Sequence, residues 1–165
     1  MTATFTIRRA KPGDEPVLRE LRIAALTDSP SAFSSTLERE INRTAENWRS
    51  WFTPPSVTFI LESAKREPRG IVAGALDRSD SSIAILMSMW VHPSHRGTGA
   101  ASQLITLIQR WAAESRVREL RLLVNESNPV ARRCYERLGF RPTGHRGVNE
   151  FTGKSEIEMS YAVPD

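Results

Sequence analysis

The stretch IAILMSMWVHPSHRGTGAA, residues 83–101, decides the fold. Its first nine residues, Ile83 to Val91, are apolar at nearly every position, which is typical of a central strand covered on both faces. The loop HPSHR follows, and then Gly97 and Gly99 precede a helix. Glycines before a helix start let several backbone N–H groups turn inward, so this corner predicts a site for a phosphate or pyrophosphate group.

The segment downstream of this corner predicts a parallel strand-helix-strand unit. Apolar residues recur at helical spacing: Ala101, Leu104, Ile105, Ile108, Trp111 and Ala112. ELRLLV, residues 119–124, then reads as the next strand, and such a crossover is right-handed. Asn128 and Pro129 open a further helix, and Gly139 stands where a left-handed C-terminal cap belongs.

The rest of the chain predicts more strands than helices. VTFILES (57–63) and GIVAGAL (70–76) predict an antiparallel hairpin. Further strands are expected at Thr4–Arg9, around Thr143–Asn149 and around Glu156–Val163. Two more helices are expected, one capped by Asp14 and a short one that is capped by Thr44 and carries Trp48, Trp51 and Phe52. The predicted fold is therefore α/β, with a mixed, mostly antiparallel sheet of six or seven strands flanked by helices.

Length and composition predict one soluble domain over residues 1–165. A chain of 165 residues with 39% hydrophobic and 25% charged residues has the size and composition for one core. The single cysteine, Cys134, cannot form an internal disulfide, and no clustered Cys or His set suggests a metal site, which favours the reducing cytoplasm. No stretch reaches the ~18 apolar residues of a membrane span, so we expect no membrane partner.

The charge balance favours recognition of anions. The net charge is +4, and 20 of the 23 cationic residues are arginine, whose guanidinium suits phosphate. Polyphosphate cofactors and nucleic acids both fit this balance. The sequence has no basic stripe interleaved with exposed aromatic residues, so we expect no nucleic-acid partner.

Two common phosphate loops fit the 83–101 stretch poorly. A Walker loop ends in Gly-Lys-Ser/Thr, and no such triplet occurs. The segment GTGAAS approximates the GxGxxG motif of a dinucleotide-binding turn, and Glu126 would be its ribose-binding acid. However, five residues separate the strand from Gly97, and only 39 residues follow Glu126, too few for the rest of a doubly wound sheet.

The motifs instead resemble the GCN5-related N-acetyltransferases, the GNAT family. The acyl-CoA motif of that family, Arg/Gln-x-x-Gly-x-Gly/Ala, is matched by Arg96, Gly99 and Ala101. The second motif is matched by Asn128, Ala131 and Tyr135, followed by Leu138-Gly139-Phe140. The resemblance implies an acetyl-CoA-dependent N-acetyltransferase that moves an acetyl group to a primary amine by direct attack on the thioester. The alternative is a module that binds acyl-CoA or nucleic acid without catalysis.

The resemblance also implies roles for individual residues. A bulge near the end of the strand aims the backbone N–H of Val91 at the thioester oxygen, and the Val91 strand separates from the one ending at Val124. Tyr135 donates a proton to the leaving thiolate. The expected cofactor-binding residues are Val91, Arg96, Gly97, Thr98, Gly99, Ala100, Ala101, Asn128 and Ala131. Acetyl-CoA is the implied cosubstrate, with no metal.

The residue that deprotonates the amine stays open. Many family members place a Glu on the central strand, but this sequence has Ile83, Ile85 and Met87 there. The remaining candidate bases are the carboxylates of Glu38, Glu40 and Glu126, and a water molecule bound by Ser88. For each of the three carboxylates, the alternative is an exposed charge that only makes the protein soluble. The acceptor, a small molecule or a peptide, is equally open, as are homodimer formation and the use of longer acyl-CoAs.

Overall fold

The computed structural model describes residues 4–165, in which seven strands form one sheet. The strands are β1 Phe5–Arg9, β2 Val57–Ser63, β3 Pro68–Leu76, β4 Ile83–Val91, β5 Glu119–Asn125, β6 Arg141–Val148 and β7 Ser155–Ala162. The helices are α1 Glu15–Asp28, α2 Leu37–Ile41, α3 Ala45–Arg49, α4 Ala100–Glu114 and α5 Pro129–Arg137, with 3₁₀ turns at Pro30–Ala32 and Pro93–His95.

The sheet has the order β1-β2-β3-β4-β5-β7-β6. All neighbouring strands run antiparallel except β4 and β5, which are joined through α4 and run parallel. The predicted fold class is therefore confirmed, including its central strand-helix-strand unit. The last two strands do not simply extend the sheet, because β7 inserts between β5 and β6.

The helices cover the two faces of the sheet unequally. On one face, α4 and Tyr135 of α5 pack over the inward side chains of the central strands, such as Leu86, Leu122 and Met159. On the other face, α1 and the segment up to Phe33 cover Ile60, Ile71 and Trp90. The second cover does not extend across β4, where Met87 is 37% exposed. The prediction that β4 is covered on both faces is therefore wrong at this position.

The predicted caps Thr44 of α3 and Gly139 of α5 are confirmed, and the predicted cap Asp14 of α1 is wrong. Thr44 accepts the backbone N–H of Asn47, and Gly139 has the positive φ of a left-handed cap. Asp14 stands at the start of α1 without capping it, because its carboxylate accepts two hydrogen bonds from the Arg8 guanidinium, at 2.7 and 2.8 Å. The side chain of Arg8 thus outcompetes the helix N–H groups for this acceptor.

The segment between α1 and α3 is more ordered than its polar sequence suggests. It contains α2, which the sequence did not predict, while α3 ends at Arg49, so Trp51 and Phe52 lie beyond it. α2 brings Glu40 into the protein interior, where the side chain is fully buried. The interpretation of Glu40 as an exposed charge is therefore wrong.

Buried Glu40 is held by three side chains. It accepts hydrogen bonds from Ser35 Oγ (2.5 Å) and Arg43 Nε (2.8 Å), and pairs with Arg22 Nε at 3.5 Å. Burial by itself acts to raise the pKa of Glu40, but the hydrogen bond from Arg43 and the charge of Arg22 outweigh it and lower that pKa. Arg22 is itself buried, with its guanidinium 5.1 Å from the ring centre of Phe33. Glu40 therefore joins α1 to α2.

None of the helices among residues 4–165 combines the length and the apolar character that a membrane crossing requires.

Replacing Glu40 by Ala should lower the free energy of unfolding by about 3–5 kcal/mol, because the buried charge of Arg22 loses its partner. Urea denaturation measures the change. Glu38, exposed on the same helix, is the matched control, and Glu38→Ala should change the free energy by less than about 0.5 kcal/mol. Equal losses in the two variants would contradict the role assigned to the buried pair.

Candidate functional site

The two parallel strands separate partway along their length. Only Ile83, Ala84 and Ile85 of β4 pair with β5, opposite Glu119, Leu120 and Arg121. Beyond this point both strands continue to Val91 and Asn125 without pairing to each other. A V-shaped opening results, which confirms the predicted separation. Backbone groups along its edges are available to a ligand, as at the exposed edge of any sheet.

A bulge in β4 lies beside this opening. Trp90 pairs with Ile71 and Met87 with Ala73, so that Ser88 and Met89 together face the single residue Val72 of β3. Ser88 has φ +59°, an uncommon value for a residue other than glycine. A bulge bends its strand and increases the local twist, which accounts for the departure of β4 from β5.

The backbone of Val91 faces the opening. The next residue, His92, donates its N–H to the Arg69 carbonyl on the β3 side, at 2.7 Å. Because successive N–H groups of a strand point to opposite edges, the Val91 N–H points away from β3 and toward the space between β4 and β5. The Val91 carbonyl, on the same edge, accepts a hydrogen bond from Arg96 Nε at 3.0 Å.

Arg96 connects the end of β4 to α1. Its second guanidinium nitrogen, Nη2, donates to Asp28 Oδ2 at 2.5 Å, and Trp90 Nε1 donates to the same oxygen at 3.0 Å. These hydrogen bonds, that of Trp90 first, lower the pKa of Asp28 to about 2. Arg96, predicted to bind the cofactor, is thus also engaged with the protein itself.

The glycine turn and the start of α4 form an open concave loop. Gly97 and Gly99 have φ values of +73° and +84°, and no atom lies within 4 Å of where a Cβ would stand at either. Thr98 Oγ1 donates to the His95 carbonyl at 2.6 Å and holds the turn, while Ala100 is the first residue of α4. The first N–H groups of this 15-residue helix have no partner within the helix, and the positive end of its dipole favours an anion at this corner.

The two histidines beside this loop take part in a local hydrogen-bond chain. Ser94 Oγ lies 2.7 Å from His92 Nδ1 and 2.8 Å from His95 Nδ1. Among residues 4–165, no group of three or more His, Cys, Asp or Glu side chains is arranged to hold a metal ion. The histidines shape the turn before Gly97.

The second helix at the opening, α5, begins just after β5. Asn128 caps it by accepting the backbone N–H of Ala131 at 3.2 Å, with Pro129 at the first helical position. Both α4 and α5 therefore start at the carboxyl ends of the parallel strands, where ligands of α/β sheets bind.

Tyr135 of α5 belongs to the same cluster of contacting buried side chains as Val91 and Val124, which lie on the two separated strands. Its side chain is 8% exposed and packs edge-on against Phe140, with ring centres 5.6 Å apart. Burial raises the pKa of the Tyr135 phenol above its ordinary value. The phenol therefore stays protonated throughout the physiological pH range.

On the opposite face of the sheet, the segment 29–36 crosses the wide end of the opening. Asn125 Nδ2 donates to the Ser31 carbonyl at 2.9 Å. Ser34 Oγ accepts from Asn149 Nδ2 at 2.8 Å and donates to Glu156 Oε1 at 3.2 Å. These contacts attach the segment to the end of β5 and to the β6–β7 hairpin.

A family model described as the acetyltransferase (GNAT) family matches residues 19–140. The chain belongs to the GNAT family. The match includes the V-shaped opening, the glycine turn and α5, and the resemblance inferred from Arg96, Gly99 and Tyr135 is confirmed at the level of the family.

Two acetyltransferases are similar in sequence to this GNAT chain over part of their length. The aminoglycoside N(6')-acetyltransferase type 1 of Salmonella typhimurium is 33% identical over 63 residues, 38% of this chain and 43% of the relative. The mycothiol acetyltransferase of Acidothermus cellulolyticus is 29% identical over 150 residues, 84% of this chain and 45% of the relative. The matched region spans less than half the length of either relative.

Solved structures share the fold over nearly the whole chain. The Salmonella typhimurium protein yncA, solved with its cofactor acetyl-CoA, superposes with a TM-score of 0.79 at 18% identity. The alignment covers 99% of this chain and 96% of yncA. The GCN5-related N-acetyltransferase from Kribbella flavida superposes with a TM-score of 0.76 at 21% identity, over 96% of this chain and 97% of that one, so the seven-stranded architecture is that of GNAT proteins.

The three carboxylates considered as bases in this GNAT chain have different surroundings in the structure. Glu40 is enclosed by Arg22, Arg43 and Ser35 and has no access to an acceptor. Glu126 is exposed and paired with Arg146 at 2.7 Å. Glu38 is exposed on α2, so it fits the expected solubilising charge.

Several residues at the opening were not identified from the sequence. Asp28, Asn125 and Asn149 carry no local motif, and each acts through a partner 62 or more residues away, at Trp90, Ser31 and Ser34 respectively. Only the buried state of the two asparagines, which the sequence does not display, distinguishes them from ordinary turn residues.

The pH dependence of stability should reveal the Asp28 link. Because the folded-state pKa is lowered from 3.8 to about 2, the ionised form contributes stability above pH 3.8, and this contribution disappears as the pH falls toward 2. Asp28→Asn should therefore lower the free energy of unfolding by about 1 kcal/mol at pH 7, since both partners are partly solvated. Denaturation at pH 7, 4 and 2 measures the difference; a difference that persists unchanged at pH 2 would contradict the assignment.

Proposed function

We propose that this GNAT chain is an acetyl-CoA-dependent N-acetyltransferase that transfers the acetyl group to a primary amine by direct attack on the thioester. The observation that carries the proposal is the separation of β4 from β5 beside an open glycine loop. Together they offer a strand edge for an amide-bearing arm and helix N–H groups for a diphosphate. We also propose that the chain is one N-acetyltransferase domain and works in the cytoplasm.

The residues fit the parts of acetyl-CoA. The backbone from Gly97 to Ala101, with Arg96 nearby, would hold the diphosphate, and the edge of β4 near Val91 would bind the pantetheine arm. Asn128 and Ala131 would contact that arm from the start of α5. The bound cosubstrate supplies an activated acetyl group as a thioester.

The Val91 N–H supports the proposed stabilisation of negative charge. It points into the opening, where charge would develop on the thioester oxygen during attack by the amine. A backbone donor held in a strand needs no reorganisation to serve in this way. The Arg96 hydrogen bond to the Val91 carbonyl keeps this part of the backbone in place.

Tyr135 is the proposed proton donor to the departing thiolate. A thiol has a pKa of ~8.5 and a tyrosine ~10, and burial raises the pKa of Tyr135 further. Complete proton transfer is therefore uphill, so Tyr135 acts through a hydrogen bond that transfers its proton only in part. The amine nitrogen forms the C–N bond by adding to the thioester carbonyl, and the C–S bond breaks as that carbonyl re-forms. The amine proton leaves to water, and the released thiolate takes its proton from solvent.

The amine must reach the site in its neutral form. An alkylammonium has a pKa of ~10.4 and is nearly all charged at pH 7. None of the three candidate carboxylates takes the place of the missing Glu of β4, because Glu40 is enclosed, Glu126 is paired with Arg146 and Glu38 is exposed on α2. We propose that water removes the proton, with Ser88 at the bulge as its contact.

Substituting Gly99 by Ala should weaken acetyl-CoA binding at least tenfold. The new methyl group would stand in the open space where the diphosphate is proposed to bind, and the positive φ adds strain of about 1 kcal/mol. Gly13→Ala is the matched control, because Gly13 also has a positive φ and open surroundings but lies between β1 and α1. Calorimetric titration of both variants with acetyl-CoA measures the affinity. An unchanged affinity in Gly99→Ala would exclude this loop as the binding site.

Tyr135→Phe should lower kcat by about 10- to 100-fold and leave the acetyl-CoA Kd within twofold, because the phenol acts only as the thiolate departs. Thiol release with an amine panel measures kcat, and calorimetry measures the Kd. The non-catalytic alternative predicts that even the wild-type protein binds acetyl-CoA and releases no thiol with any amine. An unaltered kcat would remove Tyr135 from the mechanism.

A further inference from the structure

We propose that Glu156 binds a second, protonated amino group of the acceptor, so that the preferred acceptors are diamines or larger polyamines. The inference rests on the proposed function, because it concerns the molecule that receives the acetyl group. It assigns Glu156 a binding role distinct from deprotonation of the reacting amine.

Glu156 lies at the wide end of the opening. On β7 it pairs with Asn125, the last residue of β5, within the part of β5 that has no pairing with β4. Opposite residues of antiparallel strands place their side chains on the same face, so Glu156 shares a face with Asn125 and with the segment 29–36. This is the face opposite α4, since the next residue, Ile157, packs into the α4 cluster.

The carboxylate is held in one orientation by neutral groups. Asn149 Oδ1 accepts the backbone N–H groups of Phe151 and Thr152, at 2.9 and 3.1 Å, so its Nδ2 must face the other way. That nitrogen donates to Glu156 Oε1 at 2.5 Å, and Ser34 Oγ donates to the same oxygen at 3.2 Å. Within residues 4–165, no side chain donates a hydrogen bond to Oε2, which leaves that oxygen for a ligand.

The charge of Glu156 is not neutralised by the protein. Two carboxylates near the same end of the opening have cationic partners, because Asp28 pairs with Arg96 and Glu126 with Arg146, whereas Glu158 on β7 accepts a hydrogen bond from Thr143. In the described part of the chain, no arginine, lysine or histidine forms an ion pair with Glu156. In a protein with net charge +4, an oriented carboxylate without a cation at the wide end of the opening favours a cationic ligand.

Glu156 lies too far from the middle of the opening to act as the base for the reacting amine. Strands in a sheet are about 5 Å apart, and β5 stands between β7 and the opening, so the Glu156 backbone lies roughly 10 Å from the middle of the opening. The reacting nitrogen must be neutral and at the thioester. A second amino group about four carbons away would reach Glu156 Oε2 while it keeps its proton, because its pKa stays near ~10.4.

The test compares 1,4-diaminobutane with 1-aminobutane, which lacks the second amino group. The wild-type protein should use the diamine with a kcat/KM at least tenfold higher. Glu156→Gln keeps an oxygen to accept from Asn149 and Ser34 but loses the charge, so it should lower kcat/KM for the diamine about 10- to 100-fold through KM. The value for the monoamine should stay within twofold.

Glu158→Gln is the matched control, because Glu158 lies on the same strand and face but accepts from Thr143 rather than from the segment 29–36. It should leave the diamine preference within threefold. Equal losses for diamine and monoamine in Glu156→Gln, equal effects of the two Gln variants, or no diamine preference in the wild type would overturn the inference.

Calorimetric titration of the diamine into the protein with CoA keeps the two proposals distinguishable. Diamine binding that is lost in Glu156→Gln supports the inference even if no acetyl transfer occurs, a result that would overturn the proposed function alone. If acetyl transfer to amines occurs and the diamine binds both proteins equally, the inference fails and the proposed function stands. If the diamine does not bind the wild type, the inference fails as well.

Discussion

The separation of β4 from β5 is the constraint on which the rest of the site depends. The two strands share three paired positions, up to Ile85 and Arg121, and then continue without pairing to each other, although β4 stays paired with β3 and β5 with β7. The bulge at Ser88 bends β4 away, and the Arg96 hydrogen bonds to the Val91 carbonyl and Asp28 hold its end. Without this separation, the Val91 N–H would be used inside the sheet and no strand edge would face a ligand.

The two proposed substrates bind on opposite faces of the sheet, on either side of the opening. The helix starts of α4 and α5 and the buried Tyr135 lie on one face, where they suit a phosphate-bearing carrier and its thiolate. The segment 29–36 and Glu156 lie on the other, where they suit an amine. The buried ion pair of Glu40 with Arg22 supports that second face by joining α1 to α2. A direct transfer needs the two substrates to meet in the gap between the faces.

Prediction from the sequence succeeded where the signal was local. Asn128 caps α5, Thr44 caps α3 and Gly139 takes the left-handed conformation, each as its immediate neighbours indicate. It failed where a distant side chain competed for the same atoms. Asp14 does not cap α1 because Arg8 takes its carboxylate, and Glu40 is enclosed by Arg22 of α1 and by Arg43 from the turn between α2 and α3.

The sequence by itself determined the strand-helix-strand unit, the glycine turn and the motif residues of the GNAT family, because hydrophobic periodicity and backbone conformation depend on residues close together in the chain. Only the tertiary structure decided which carboxylates are enclosed, paired or available. Glu40, Glu126 and Glu156 are the same residue type, and their surroundings come from groups as many as 122 positions apart. A side chain's charge partners are set by packing across the sheet, which no local pattern encodes.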